Sequence, residues 1–335
     1  MQAGCGKNER MTPHELISTP FGASSTAAEV LQGVDLDGVR AIVTGASSGL
    51  GVETARALTS AGADVTLAVR NLAAGNSVAD TIKKSTRATR PHVVRLDLAD
   101  LESVAHFVGM WDGPLHLLVN NAGLVTGGLE RTELGWELQF ATNHLGHFAL
   151  AVSLHGALAA GAPERGEARI VSLSSTAHMR ADVDFDDLHF ERRSYDPQIA
   201  YAQSKTANSL FAVEATRRWA ADGIVANAVN PGGVATGLQR NFTVQQRESL
   251  DAAEAAGVFS YKTIEQGAAT TIVAAVAPQF ARTGGHYLDD GREAYTVPND
   301  AELAQHPHGV KQWALDPASA ERLWLVSADL TGRPA

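Results

Sequence analysis

The residues of this chain most open to chemical use lie in the stretch Tyr201-Ala202-Gln203-Ser204-Lys205. Its pattern predicts a helix from Tyr201 to Ala221, which sets Tyr201 and Lys205 on one face, a turn apart. A phenol with an ordinary pKa of about 10 is a poor base near neutrality. A neighbouring ammonium favours the phenolate and draws the group toward the working range. Such a pair suits proton exchange with a substrate oxygen, although the same spacing also occurs in helices that do no chemistry.

A second group could hold a coenzyme. Thr44-Gly45-Ala46-Ser47-Ser48-Gly49-Leu50-Gly51 follows an apolar run and precedes a helical one, Val52 to Ser60. Glycines there let the backbone turn tightly and come close to a pyrophosphate, while free amides and the positive end of the helix face the anion. Gly45, Ser47, Ser48, Gly49, Leu50 and Gly51 are the expected contacts. The end of the next strand discriminates between dinucleotides, because an acidic side chain there would hold the ribose 2′-hydroxyl of NAD(H). This sequence has Arg70-Asn71 instead, and a guanidinium suits a 2′-phosphate. NADP(H) is therefore expected over NAD(H), with Asp64 no rival because it precedes its strand.

The elements that must position these groups alternate from Arg40 onward. Short apolar runs read as strands at Arg40 to Thr44, Val65 to Val69, His92 to Leu96, Leu115 to Val119, Arg169 to Leu173, Val225 to Val229 and Gly285 to Leu288. They are rich in Val, Ile and Leu without clean alternation, as strands covered on both faces should be. Longer helix-like segments separate them, which predicts an α/β protein. Thr263 with Gln266 reads as a capping box, Pro278 as that helix's stop, Asp316-Pro317 as another helix start and Gly332 as its end. Residues 1–38 carry no strand signal beyond a short helix at Ser25 to Gln32, and read as a partly disordered arm before a single domain at 39–335.

The chain has 335 residues, 44% hydrophobic and 19% charged, with 27 Lys and Arg against 37 Asp and Glu. The net charge of −10 and the absence of a cationic block argue against nucleic acid or a membrane surface as partner. No apolar run of about 18 residues and no secretory leader appears, so a cytoplasmic location is expected. Cys5 is the only cysteine, which excludes an intrachain disulfide. His144 and His147 stand at a metal-ligating spacing without a third ligand nearby, and with His155 they read as packed or interface histidines; no metal is expected.

Taken together these motifs resemble the short-chain dehydrogenase/reductase superfamily, and within it the retinol-dehydrogenase-like and WW-domain-oxidoreductase-like branch. The similarity runs from about Asp35 to Glu293. It implies a single Rossmann-type, doubly wound domain with a seven-stranded, mostly parallel sheet of order 3-2-1-4-5-6-7. Carried over residue by residue, it assigns Asp97-Leu98 to the adenine, and Asn121, Ala122 and Gly123 of Asn120-Asn121-Ala122-Gly123 to the cofactor site. It makes Asn143 the helix asparagine that holds a relay water and Ser175 the substrate-orienting serine. Pro231, Gly232, Val234 and Thr236 belong to the segment that closes over the nicotinamide. Tyr201 would exchange the proton, and Lys205 would bind the nicotinamide ribose and depress the phenol pKa. Ser174 is the rival of Ser175, since neighbours on an extended chain face opposite ways.

The implied activity is interconversion of an alcohol and a ketone or aldehyde. A dinucleotide-sensing binding protein and a reductase of conjugated double bonds remain alternatives. Two stretches, 176–198 and 237–262, read as substrate loops; Ala181 to Ser194 is either a flap or a solvated loop, and Leu238, Phe242, Val258 and Phe259 suggest a lining for a hydrophobic small molecule. Family members often pair through the helices bearing Asn143 and Tyr201, which implies a homodimer or homotetramer.

Overall fold

The computed structural model describes residues 15–235 and 260–334, together with residues 248, 252, 254 and 255. Strands β1 (Arg40–Thr44), β2 (Asp64–Val69), β3 (His92–Arg95), β4 (Leu117–Asn120), β5 (Ala168–Leu173), β6 (Ile224–Asn230), β7 (Tyr287–Asp289) and β8 (Arg292–Glu293) form one sheet. Their order is β3-β2-β1-β4-β5-β6-β7-β8. The first seven are parallel, in the expected order; β8 runs antiparallel to β7. The sequence reading missed β8 because two residues show no alternation. Its turn was nevertheless legible: Asp290-Gly291, both at positive φ (48° and 73°), is the pair a two-residue hairpin prefers.

Burial on both faces follows from the strand period of two. In β1, Ala41 and Val43 enter one core and Ile42 the other; in β4, Leu117 and Val119 part from Leu118 in the same way. The first core is covered by α1 (Ala27–Val30), α2 (Leu50–Ser60) and the later helix Ile264–Val276. The second contains Phe107 of α4 (Leu101–Gly109), Phe148, and Phe211 of the long helix Pro197–Trp219. Between β2 and β3 runs α3 (Leu72–Thr86). After β4 the chain forms α5 (Leu138–Phe140), a π-helical turn Ala141–Leu145, α6 (Gly146–Ser153) and α7 (His155–Arg165). Gly146 permits α6 to approach closely, since a Cβ there would lie within 2.8 Å of the Leu98 side chain and backbone.

Helix α8, Pro197–Trp219, starts a turn earlier than expected from Tyr201. Asp196 caps it, accepting from the amides of Gln198 and Ile199, and Pro197 takes the first helical position, where its missing N–H is not needed. The same Asp-Pro signal opens α10, Pro317–Thr331, as the sequence predicted, and Gly332 ends it at φ 62°. Helix α9, Ile264–Val276, carries the expected Thr263–Gln266 capping box.

Residues 15–38, read from sequence as an arm, pack on the domain. Ala27, Val30, Leu31 and Leu36 enter the first core, and the Ile17 carbonyl accepts the amide of Glu293 on β8. The stretch 181–194 is packed as well. Val183 and Leu188 join a third core with Ala207 and Leu210 of α8 and Leu323 of α10, while the buried Asp187 carboxylate accepts the amides of Glu191, Arg192 and Arg193. That is the reason it is not a solvated loop. A parallel pair, β9 (Tyr295–Val297) and β10 (Gly309–Lys311), precedes α10.

Helix α10 lies across α6 and α8. Trp324 packs edge-on to Phe148 at 4.9 Å and stacks on Phe211, and Ser327 meets the His144 ring at 2.8 Å. The faces on which the resemblance places a second copy are thus covered by the chain's own last helix. Among the described residues no single helix is long and apolar enough to cross a membrane.

Candidate active site

The sheet order reverses between β1 and β4, and in open α/β sheets the crevice outside the carboxyl ends of the strands at such a point takes the ligand. Four strands deliver chemistry there: β1 leads into the glycine turn, β4 into Asn121 to Gly123, β5 into Ser174 and Ser175, and β6 into Pro231 to Val234.

Helix α8 grips the end of β5. The Lys205 ammonium donates to the Leu173 carbonyl at 2.9 Å and Asn208 donates to the same oxygen at 2.8 Å. The Lys205 nitrogen lies 5.5 Å from the centre of the Tyr201 ring. Gly123 is where a third element arrives, since a Cβ there would stand 3.4 Å from Asn143 Oδ1 and 3.5 Å from Lys205 Nζ. The two serines diverge as extended chain requires. Ser174 is buried, donating to the Lys205 carbonyl at 2.8 Å and accepting from Ser209 at 3.0 Å. Ser175 accepts the Ala177 amide at 3.1 Å and lies close enough to the Tyr201 phenol to favour its ionised form slightly. The fold thus brings Ser175, and not Ser174, to Tyr201.

Burial governs the charges of this pair. It pushes the Tyr201 phenol up to about 12, against the smaller opposing influence of the nearby Ser175 hydroxyl, and pulls the Lys205 ammonium down to about 8. The Tyr201 shift runs opposite to the sequence expectation, because loss of hydration disfavours the phenolate more than its surroundings favour it. Near neutrality the site therefore presents a neutral phenol and an ammonium that is still mostly charged.

Asn143 sits in the π-helical turn, a feature common at functional sites. Its side chain is committed to backbone and helix: it donates to the Leu124 carbonyl at 3.1 Å and to Ser204 at 3.0 Å, and accepts the Leu124 amide at 2.9 Å. Its backbone carbonyl accepts from His147 Nδ1 at 2.9 Å. With the proton on Nδ1, His147 Nε2 accepts from the Thr44 hydroxyl at 2.9 Å, and Thr44 in turn accepts the amides of Asn121 and Ala122, each at 2.9 Å. This chain of bonds ties β1, β4 and the π turn together. Sequence reasoning had Thr44 only as the first residue of the glycine motif and read His147 only as a packed or interface histidine paired in spacing with His144. Burial pulls His144 to about 3 and His147 to about 4, so both rings are neutral, and they serve different partners. His155 pairs with Asp222 at 3.0 Å.

The glycine turn fits a dinucleotide phosphate. Gly45 and Gly49 hold positive φ of 68° and 59°, and no side chain caps α2, so its first amides are open to an anion. Gly45 also permits contact with the β4 end, because a Cβ would come within 2.8 Å of Ala122 Cα. Arg70 is exposed beyond β2, with no bonded partner among the described residues. Asn71 instead caps α3, accepting the Ala74 amide at 3.1 Å. Asp97 accepts the Ala99 amide at 3.1 Å, and Leu98 is buried beneath α6.

On the far side, Val234 bridges to Lys262, whose ammonium pairs with Asp290. Asp289, Asp290 and His308 lie close enough to share a metal, but Asn230 donates to Asp289 and His308 holds it at 2.6 Å, so each group already has a partner. Thr236, Leu238, Phe242, Val258 and Phe259 lie outside the described residues.

Residues 40–247 match the family model described as short chain dehydrogenase. The chain is 47% identical over 301 residues to a "Probable oxidoreductase" of Streptomyces lividans, covering 88% of this chain and 98% of that one. It is 35% identical over 304 residues to mouse retinol dehydrogenase 12, covering 89% and 88%. Among solved structures it resembles one from Beutenbergia cavernae, titled as an NAD(P)-dependent gluconate 5-dehydrogenase with bound NADP, at TM-score 0.60 and 26% identity, covering 77% of this chain and 97% of that one. Fold, motif order and relatives agree, and the chain belongs to the short-chain dehydrogenase/reductase family of oxidoreductases.

Proposed function

We propose that this protein is an NADP(H)-dependent oxidoreductase that interconverts an alcohol and a ketone or aldehyde on a hydrophobic small molecule, with Tyr201 as general acid/base. The observation that carries this reading is a buried phenol with the Lys205 ammonium 5.5 Å from its ring centre and the Ser175 hydroxyl near it. A neutral phenol is the form that can give a proton to a developing alkoxide. Ser175, already accepting the Ala177 amide, has its own proton free to polarise a carbonyl. Lys205 supplies positive charge beneath the ring and, with Gly123 leaving room beside it, is placed to hold a ribose hydroxyl. The coenzyme, when bound, supplies or takes the hydride.

The choice of NADP(H) rests on Arg70, a guanidinium at the end of β2 with no bonded partner among the described residues, and on the NADP bound by the Beutenbergia cavernae protein. The test is nicotinamide absorbance during a screen of apolar ketones, aldehydes and alcohols. Tyr201→Phe should lower kcat about 10²- to 10⁴-fold. Equal turnover by wild type and variant rules out Tyr201 as the proton donor.

A further inference from the structure

We propose that His178 is a positioning residue for Ser175, and that the C-terminal pair β9–β10 braces it in that task. The inference rests on the function proposed for Ser175 and adds a part of the chain that this function leaves unused.

Ser175 lies two residues beyond the end of β5 and caps the 3-10 turn Thr176–Arg180. Its carbonyl receives two bonds from one residue: the His178 amide at 3.0 Å and His178 Nδ1 at 2.7 Å. A carbonyl cannot donate, so the proton sits on Nδ1. The other ring nitrogen then carries a lone pair, and the Lys311 amide of β10 approaches it at 3.3 Å. The ring is wholly buried and lies 4.7 Å from that of Tyr287 on β7, whose hydroxyl is 3.1 Å from Nδ1. Burial holds the imidazole down at about 4, so it stays neutral with one proton to place.

The brace is itself anchored. The Lys311 ammonium is buried, donates to the carbonyls of Asn299 and Ala301, and lies 4.9 Å from the Trp313 ring; the Trp313 indole donates to the His178 carbonyl at 3.2 Å. The His178 carbonyl also receives the Thr206 hydroxyl of α8. His178 is thus held from β7, β10, α8 and the turn after β10, while every polar atom of its ring faces Ser175, Tyr287 or Lys311. Rotation of the Ser175 peptide would move its hydroxyl relative to the Tyr201 phenol, and the ring opposes that rotation.

The experiment uses the full chain. Asparagine places its amide nitrogen where His has Nδ1 and keeps the donor to Ser175, whereas leucine keeps bulk without a donor. With NADPH and a ketone or aldehyde that the wild type reduces, His178→Leu should lower kcat roughly 10- to 100-fold with KM for NADPH unchanged, and His178→Asn should stay within about threefold. In a Ser175→Ala background, His178→Leu should cost less than about twofold more, because a residue acting through Ser175 has nothing left to position. Equal losses in both backgrounds, or a His178→Leu enzyme as fast as wild type, would overturn the proposal while leaving the proposed function intact. If Ser175→Ala is itself silent, the proposed function loses its serine and this inference falls with it. Should His178→Leu fail to fold, nitrogen NMR of the wild-type ring decides: a proton on Nδ1 alone is expected, and a proton on Nε2 overturns the brace.

Discussion

Thr44→Val tests the joint beneath the coenzyme turn without needing a substrate. The Thr44 side chain is fully buried, and valine matches its shape, so packing is conserved and only the hydroxyl is lost. That hydroxyl accepts the amides of Asn121 and Ala122 and donates to His147 Nε2, each at 2.9 Å. The Asn121 amide keeps the Val119 carbonyl at 3.0 Å, so two groups, the half-buried Ala122 amide and the buried His147 Nε2, are left without partners. An unsatisfied group costs about 1–3 kcal/mol when fully buried. Because Ala122 keeps some access to water, the sum is about 1–4 kcal/mol. Thr44→Ser retains the hydroxyl and loses one methyl, at about 1 kcal/mol. Chemical denaturation of the three proteins at one pH measures the differences. If Thr44→Val is within about 0.5 kcal/mol of wild type, the chain from β4 through Thr44 to the π turn does not hold the site as argued.

Two further outcomes follow from charge. Arg70→Ala should weaken NADPH binding roughly tenfold, the value of a charge-assisted bond, and leave NADH binding unchanged; equal losses in titrations with the two coenzymes would remove the 2′-phosphate contact. For Lys205 the sign runs through linkage. Its folded pKa of about 8 lies below the ordinary lysine value of 10.5, so between those values the unfolded chain binds more protons and stability rises with pH. Below about pH 8 the buried ammonium costs the folded state on the order of 2–4 kcal/mol. Wild-type stability measured relative to Lys205→Met should therefore climb from pH 8 to 10.5, and a flat difference would mean that Lys205 is hydrated.

Much of this was legible in the sequence because local rules and global fold agree. The seven parallel strands, the glycine turn and the Asp-Pro helix start at Asp316 follow from period, turn chemistry and capping, while the strand order came with the family resemblance. The earlier start of α8 was equally readable, since Asp196-Pro197 repeats that signal, but the Tyr201–Lys205 spacing drew the boundary inward. What could not be read is non-local. Thr44 and His147 are 103 positions apart, and His178 and Lys311 133, so no window of sequence brings them together. The Tyr201 pKa was misjudged for a related reason: the ammonium is visible one turn away, whereas the desolvation that outweighs it comes from residues all over the chain.

Helix α10 changes what kind of surface the outer side of α6 and α8 is. Trp324, Leu323 and Ala328 fill that side from within the same polypeptide, so its apolar surface is already buried in the single chain. The local concentration of α10 does not fall on dilution, and self-association along those helices has first to peel away a capped helix of fifteen residues. Assembly through that side is in competition with the tail, and a chain cut ahead of Asp316 would expose an aromatic surface with every reason to cling to another of its kind.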